Sequence, residues 1–504
     1  MKRRIPIEVW VPDLTFPGWM DRWYKQGEDF ERAHPEYEVR VHGKDFWRFP
    51  RQVAEAAAEG RTPAISEYYF YMTQVARDSL AQDGSPLFTS VQKAIGGRTE
   101  ILGEPVVIDD IIPPIRDYYT YQGDLDSMPT VATTSLLYAN KGLLRRAGVT
   151  KLPETWEEVE EVCRAVAATA GGPSHAITWS NHGTFIQQAV ASQGGLLVDN
   201  HNGRAGRATT STMASPEMVA WATWWKKLHR DGHYLYTGKI PDWAGTLRAF
   251  AEQDVAIRIS SSNDVNYMHR AAEDNDFEME VGIFPYNDRV PYVGNAIAGT
   301  SLWLANGLDE ATQEGALAFL QYLHNPEYAA ERHRANSFLP LTYSSAALLE
   351  EEGWFDRHPR HRVAYDHVMR FPAGAVRQRP ELAGRVPASE GAIFGDFAGN
   401  QDVMTRAMGD ILAHDADPQE RFAFADVEAQ RLLDVYNEYA LTSGFRDPEN
   451  SPTHSLSVEA FSEAAAGRDY SAARRSRPGR SRSCGGRWCR GGWRSWWRPA
   501  PRRG

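Results

Sequence analysis

An α/β chain with more than one domain is what this sequence predicts, on three observations. Strand-like and helix-like segments alternate from Ile5 to Tyr69, the pattern of a sheet covered by helices. The 504 residues exceed the ~250–300 that a single hydrophobic core organises. The composition is globular, 42% hydrophobic and 24% charged, and no apolar run approaches the roughly 18 residues of a membrane span.

Each element has its own signal. Ile5 to Val11 predicts a first strand, and Gly18 to Ala33 a helix that carries Trp19, Trp23 and Phe30 and stops before Pro35. Tyr37 to Val41 alternates as a second strand. Phe49 to Glu59 is a helix closed by Gly60, and Ala64 to Tyr69 a third strand. Thr133 to Tyr138 predicts one further strand, followed by a short helix from Lys141 to Ala147 closed by Gly148. Thr155 caps a helix to Thr169, with Glu158 as its capping-box partner. Ser215 caps Pro216 to Arg230, with proline at the first helical position. Strands are expected at Ala256–Ser260, Met279–Phe284 and Thr300–Ala305. Helices are expected at Leu308–His324, Pro326–Ala335, Gln401–His414 and Pro418–Leu441.

Charge is unevenly spread. From Gly467 to Gly504 there are 12 Arg against one acid, Asp469, a net of 12 − 1 = +11; the formal total is −11, so the remainder carries −11 − 11 = −22. A body this acidic disfavours nucleic acid. Residues 446–504 lose all periodicity and read as disordered. The Arg/Ser/Gly/Trp-rich tail reads more readily as a non-native extension than as a polyanion-binding arm. The three cysteines, Cys163, Cys484 and Cys489, form neither a disulfide framework nor a zinc spacing. Met1-Lys2-Arg3-Arg4 is a signal-like basic start, but no apolar h-region follows.

Several strings then occur in series. They are Phe30-Glu31 through His34-Pro35-Glu36-Tyr37, Arg61-Thr62-Pro63-Ala64-Ile65, Leu137-Tyr138-Ala139-Asn140-Lys141, and Pro153-Glu154-Thr155-Trp156-Glu157-Glu158. Asn295 through Trp303, Leu323 to Ala329 and Ser337-Phe338-Leu339-Pro340-Leu341-Thr342 follow. In this order, over residues 5–445, the chain resembles the family 1 extracellular solute-binding proteins of ABC importers. Within them it is most similar to the glycerol-3-phosphate and glycerophosphodiester binders and their sugar-binding relatives. The resemblance implies a two-lobed periplasmic-binding-protein type II fold with three hinge crossings, near Thr133, Gly282 and Ala329 to Leu339. One lobe would take residues 1–133 plus 282–330, the other 134–281 plus 331–445. It also implies a monomer outside the cytoplasm, periplasmic or anchored at the cell surface. Its signal sequence would be missing from this chain, and its partners would be a small solute and membrane permease subunits.

A sugar offers an apolar C–H face and a rim of hydroxyls, so its pocket needs flat rings and small polar groups. Stacking that buries ~60 Å² of apolar area yields about 1.5 kcal/mol, and a hydrogen bond nets ~0.5–1.5 kcal/mol. Micromolar affinity needs roughly 8 kcal/mol, so contacts from two closing lobes must converge. The candidates stand where strands give way to loops. Trp10 and Asp13 follow the first strand, Phe46 and Trp47 the second, and Tyr69 and Phe70 the third. Thr133 and Thr134 lie at the first crossing, and Trp179, Asn181 and Phe185 between a strand and a helix. Ser261, Ser262 and Asn263 follow a strand; Asn295, Gly299 and Thr300 form a glycine-containing turn; Phe338 and Asp396 come from the second lobe. Trp156, Trp221, Trp224 and Trp225 lie on helices and read as packing.

Against the glycerol-3-phosphate binders, Phe70 stands at an acidic position, Ile393 at that of a phosphate-holding arginine, and Phe338 at a tyrosine. The resemblance therefore implies a neutral sugar or oligosaccharide rather than a phosphate, because burying a dianion without a cation is costly. Arg258, near the serine run, keeps a glycerophosphodiester or glycerol-3-phosphate as the alternative.

Enzyme chemistry has little support. No P-loop, nucleophile elbow, HExxH or dinucleotide glycine pattern is present, so no catalytic residue, cofactor or metal is expected. Asp109-Asp110 and Glu157-Glu158 could suggest a glycosidase pair, but read better as solvated charges. His358, His361 and His367 read as a basic loop rather than a metal site. A binding protein that presents its ligand to a sensory receptor would share all these features.

Overall fold

The structure is a computed structural model that describes residues 3–14, 18–46 and 48–443. Most strands gather into two sheets, beside two short two-stranded ribbons at 100–105 and 120–125. The first takes β1 (Ile5–Pro12), β2 (Tyr37–Lys44), β3 (Ile65–Tyr69), β4 (Phe88–Thr89), β5 (Met128–Thr133) and, much later, Ala298–Ala305. The second takes β6 (Ser135–Asn140), β7 (His175–Thr178), β8 (Val255–Ser261) and β9 (Met279–Ile283). The late strand of the first sheet is β10.

The first sheet runs β2-β1-β3-β10-β4, with β5 also on β10. β1 is parallel to β2 from Ile5↔Tyr37 to Pro12↔Lys44 and parallel to β3 at Val9↔Ile65, while β10 is antiparallel to its neighbours. Alternation in β1 buries Ile7, Val9 and Val11 completely. The second sheet runs β7-β8-β6-β9; β6 is antiparallel to β8 and β9, and β7 is parallel to β8.

Helices fill the intervals. In the first half they are α1 (Trp19–Ala33), α2 (Phe49–Ala58), α3 (Thr73–Asp78) and α4 (Pro113–Tyr119). Beside the second sheet run α5 (Trp156–Ala167), α6 (Gly183–Ser192), α7 (Pro216–Arg230) and α8 (Trp243–Ala251). Then come α9 (Glu310–Tyr322), α10 (Pro326–Asn336), α11 (Phe397–His414) and α12 (Pro418–Ser443). Trp19, Trp23 and Phe30 form the buried stripe of α1, as their spacing predicts. The capping box of α5 is formed, and Ser215 caps α7.

The single strand expected at Thr133–Tyr138 is two. β5 and β6 belong to different sheets, and the chain passes between them at Thr134. No turn residue marks the switch, because no turn occurs; every residue of both strands is buried. Tertiary contacts fix the join instead. Thr134 N–H donates to Ser262 Oγ (3.1 Å), Ser262 N–H donates to Thr134 O (2.7 Å), and Thr134 Oγ1 donates to Ala296 O (2.9 Å). The return lies between Ile283 and Ala298. Farther on, Leu339 N–H donates to Ala132 O (2.8 Å).

Candidate functional site

Where the two sheets meet, the strand ends enclose a cavity of about 180 Å³. One wall comes from the first half: Leu14, Phe46 and the turn Tyr69-Phe70-Tyr71 after β3. The facing wall is the start of α6, Trp243 at the start of α8, and Ser261, Asn263 and Asp264 after β8. Thr133, Thr134 and Ser135 at the switch, and Ala296 to Gly299 leading into the start of β10, form its floor, with Phe338 and Gln401 completing the lining. Gly299 is required by close approach, since a Cβ there would stand 2.0 Å from Val131 O.

The walls differ in chemistry. The first-half wall is aromatic: Phe46 meets Tyr69 edge-on at 5.5 Å, and Tyr69 lies 4.8 Å from Tyr71. The opposite wall pairs two rings, Phe185 and Trp243 at 5.4 Å, with amides and hydroxyls. Gln188 is 3% exposed, and its Nε2 has no hydrogen-bond partner among the described residues, which leaves a buried donor unmet. His182 caps α6 through Nδ1, which accepts the Thr184 N–H (3.1 Å). Burial pushes this imidazole down to about 4, so it is neutral near pH 7 and carries its proton on Nε2.

Among the described residues no lysine or arginine lines the cavity. The one acid among the described lining residues, Asp264, accepts from Ser260 Oγ (2.5 Å) and pairs with Arg258 (3.3 Å). Arg258 is 2% exposed and lies behind the wall, also facing Trp243 O and Thr246 Oγ1. A second, larger groove of about 590 Å³ holds three arginines, but each is engaged. Arg204 donates to backbone carbonyls, Arg377 pairs with Glu390, and Arg385 pairs with Glu217.

Of the residues singled out from sequence, Phe46, Tyr69, Phe70, Thr133, Thr134, Phe185, Ser261, Asn263, Gly299 and Phe338 line the cavity. Others lie elsewhere. Trp10 stands on the outer part of β1, with Lys44 Nζ 3.8 Å over its ring; Asp13 is exposed. Trp179 is 0% exposed, packed among Trp221, Trp224, Trp225 and Tyr234. Asn181 donates to Thr405 O, Ser262 holds the sheet switch, and Asn295 donates to Ser135 O. Thr300 donates to Glu67, and Asp396 caps α11 by accepting the Gly399 N–H. Trp47 lies outside the described residues. Strand-end position alone does not say which way a side chain points, and these point away from the gap.

Sequence reading missed Tyr71, His182, Gln187, Gln188, Trp243 and Gln401. For Trp243 a signal existed: Asp242 begins the helix by accepting the Gly245 N–H (2.8 Å), an N-cap pattern visible in the sequence. The glutamines carry none, because helical residues face a ligand only through tertiary placement. Among the described residues no cluster of His, Cys, Asp and Glu is arranged to hold a metal ion, and no helix is long and apolar enough to cross a membrane.

Comparison with known proteins gives consistent results. Residues 25–361 match the family described as bacterial extracellular solute-binding protein. The chain is similar to the sn-glycerol-3-phosphate-binding periplasmic protein UgpB of Yersinia enterocolitica. The two are 27% identical over 350 residues, 68% of this chain and 76% of that protein. Among solved structures, it is similar in fold to UgpB from Mycobacterium tuberculosis in complex with glycerophosphocholine. There the TM-score is 0.63 at 18% identity, covering 85% of this chain and 98% of the other. It is similar also to the cyclic alpha-maltosyl-1,6-maltose binding protein from Arthrobacter globiformis. There the TM-score is 0.66 at 17% identity, covering 86% and 100%. The fold is the type II arrangement of these proteins.

Proposed function

This chain belongs to the bacterial extracellular solute-binding proteins, the solute-capturing components of ABC importers, and from that premise we propose that it captures a small neutral polyhydroxylated solute, a sugar or polyol. The solute sits in the cavity between the two sheets and is handed to membrane permeases. We place the lobes at 1–133 plus 282–330 and 134–281 plus 331–445, and the working protein outside the cytoplasm as a monomer that binds without turnover.

One observation carries the choice of ligand. Among the described residues the lining holds no lysine or arginine, and its only acid is already matched by Arg258. A phosphate there would lose its hydration with no cation to replace it. An aromatic wall facing amides and hydroxyls suits a ring with one C–H face and a hydroxyl rim. The volume of about 180 Å³ lies below the roughly 300–1,000 Å³ of sites for drug-sized ligands, which favours one sugar ring over an oligosaccharide.

The relatives named for glycerol-3-phosphate and glycerophosphocholine keep a glycerophosphodiester or glycerol-3-phosphate as the second reading. A thermal-shift screen of mono-, di- and oligosaccharides beside glycerol-3-phosphate and glycerophosphocholine separates the two. A monosaccharide is expected to raise the melting temperature, with micromolar affinity by calorimetry and no product formed. A response to the phosphate compounds alone would reverse the choice, and release of a new sugar would make the protein an enzyme.

A further inference from the structure

Away from the cavity, the segment 199–207 of the second half reaches across to the first. Asn200, His201 and Asn202 all hold left-handed conformations, with φ of 52°, 52° and 61°, an uncommon run for residues other than glycine. The turn is held by Leu197 N–H donating to Asn202 Oδ1 (2.8 Å) and Asn200 Nδ2 donating to Arg207 O (2.8 Å). It delivers two arginines to the opposite half.

Arg204 inserts its guanidinium between the halves. Its Nε donates to Glu390 O (3.1 Å) and Gly391 O (2.8 Å). Its other nitrogens donate to Asp117 O (3.3 Å), Thr120 O (3.2 Å) and Tyr118 O (3.0 Å). Those last carbonyls end α4, where a helix leaves acceptors unmet and carries partial negative charge. The arginine thus caps a helix of the other half. Arg207 pairs through both arms with Asp78 at the end of α3, one at 3.0 Å. Tyr436 of α12 donates to the same carboxylate at 3.0 Å, and Gln74 from within the first half also at 3.0 Å. The Asp78 side chain is 9% exposed and that of Arg207 29%, so water screens this pair little.

The contacts lie one ring from the cavity. Tyr118 donates to Phe70 O (3.3 Å) and Ala392 O (3.1 Å), and its ring stands 5.9 Å from that of Phe70, which lines the cavity. Parting the halves must break the bonds from Arg204 to the end of α4, the Arg207–Asp78 pair, and the bonds Tyr436–Asp78 and Tyr118–Ala392 together, and leaves Arg207 and Asp78 without their charge partners.

We propose that segment 199–207 is a latch: Arg204 and Arg207 are positioning residues that set how far the clamp stays closed, and hence how long it retains its solute. This rests on the two-lobed clamp reading above but not on which solute is bound. A solute that contacts both halves has less closure left to drive when the latch is intact.

Small-angle scattering of the full chain, without added solute, tests this. Asp78→Asn is expected to raise the radius of gyration by roughly 1 Å, on the about 22 Å of a compact body of ~440 residues. Arg207→Ala should do the same, and the double variant should open no further than either single, because both remove one contact. An unchanged radius in both single variants, with native circular dichroism, overturns the latch; so does a rise in the double variant equal to the sum of the two. Should Asp78→Asn not fold, Arg207→Ala alone carries the same reading, and an unchanged radius there overturns it. Failure to find a sugar ligand would leave this result standing, and so would separate the two readings.

Discussion

Trp179 and Gln188 show how differently two buried polar-capable side chains can serve. Trp179 stacks at 11° to Trp224, 6.0 Å away, inside a cluster of indoles and tyrosine. Removing it deletes packing, so Trp179→Ala should cost about 3–5 kcal/mol of stability, read by urea unfolding. Gln188 faces the cavity with an unmet donor. Gln188→Met keeps the volume and removes the unmet polar group, so the fold should lose nothing while affinity for the best-bound sugar drops roughly tenfold. A Gln188→Met protein that binds as well as the parent would remove that amide from the site. The aromatic turn at Tyr69 and Phe70 was legible, because rings that follow a strand sit at a sheet edge. The inward turn of Gln188 was not, because helix periodicity names a buried face without naming what lies opposite.

At the level of elements, local chemistry predicted well where the element is locally stabilised. Thr155 Oγ1 accepts the Glu158 N–H at 3.2 Å, and Glu158 accepts the N–H groups of Thr155 and Glu154. This start also anchors Trp156, whose indole donates to Pro285 O at 3.1 Å. Thr155→Ala should therefore cost about 1 kcal/mol, seen as a lower urea midpoint at unchanged slope; an unshifted midpoint would mean that packing alone holds α5. The failure at Thr133–Tyr138 has the opposite cause. None of its residues, Thr133 to Tyr138, is a glycine or proline that would interrupt a strand, and only pairing partners distant in sequence divide them between two sheets. The cavity floor is that division, so its most informative feature is silent in local pattern.

In the whole molecule, buried titratable groups give stability a pH dependence whose sign can be worked out. Burial pushes His182, His324, His333 and His367 down to about 4, and His361 to about 3. An unfolded imidazole titrates near 6.5, so below that pH the unfolded chain binds more protons than the fold. Their stabilisation is complete above about pH 6.5 and is lost as pH falls toward 4, each group contributing up to about 1.4 kcal/mol per pH unit. Glu67 opposes this. It is 0% exposed, accepts from Thr300 at 2.6 Å, and is pushed up to about 7 by burial. It therefore favours the fold as pH drops from 7 toward 4.5, and Asp126, raised to about 6 by burial, acts likewise. Five imidazoles outnumber two carboxyls, so the melting temperature should fall from pH 6.5 to 4. A flat profile by scanning calorimetry would contradict these burials.

By itself the sequence determined the α/β class, most helix limits and caps, the solute-binding family and the aromatic character of the site, since periodicity, capping and ordered motifs are written in neighbouring residues. The tertiary structure alone decided where one strand becomes two, which strand-end side chains turn inward, that Arg258 stands behind the wall, and that Arg204 and Arg207 reach the ends of α4 and α3. The strand division and the two arginine contacts join groups 84 to 129 residues apart along the chain, and the energies that select such meetings come from burial and pairing that no local pattern records.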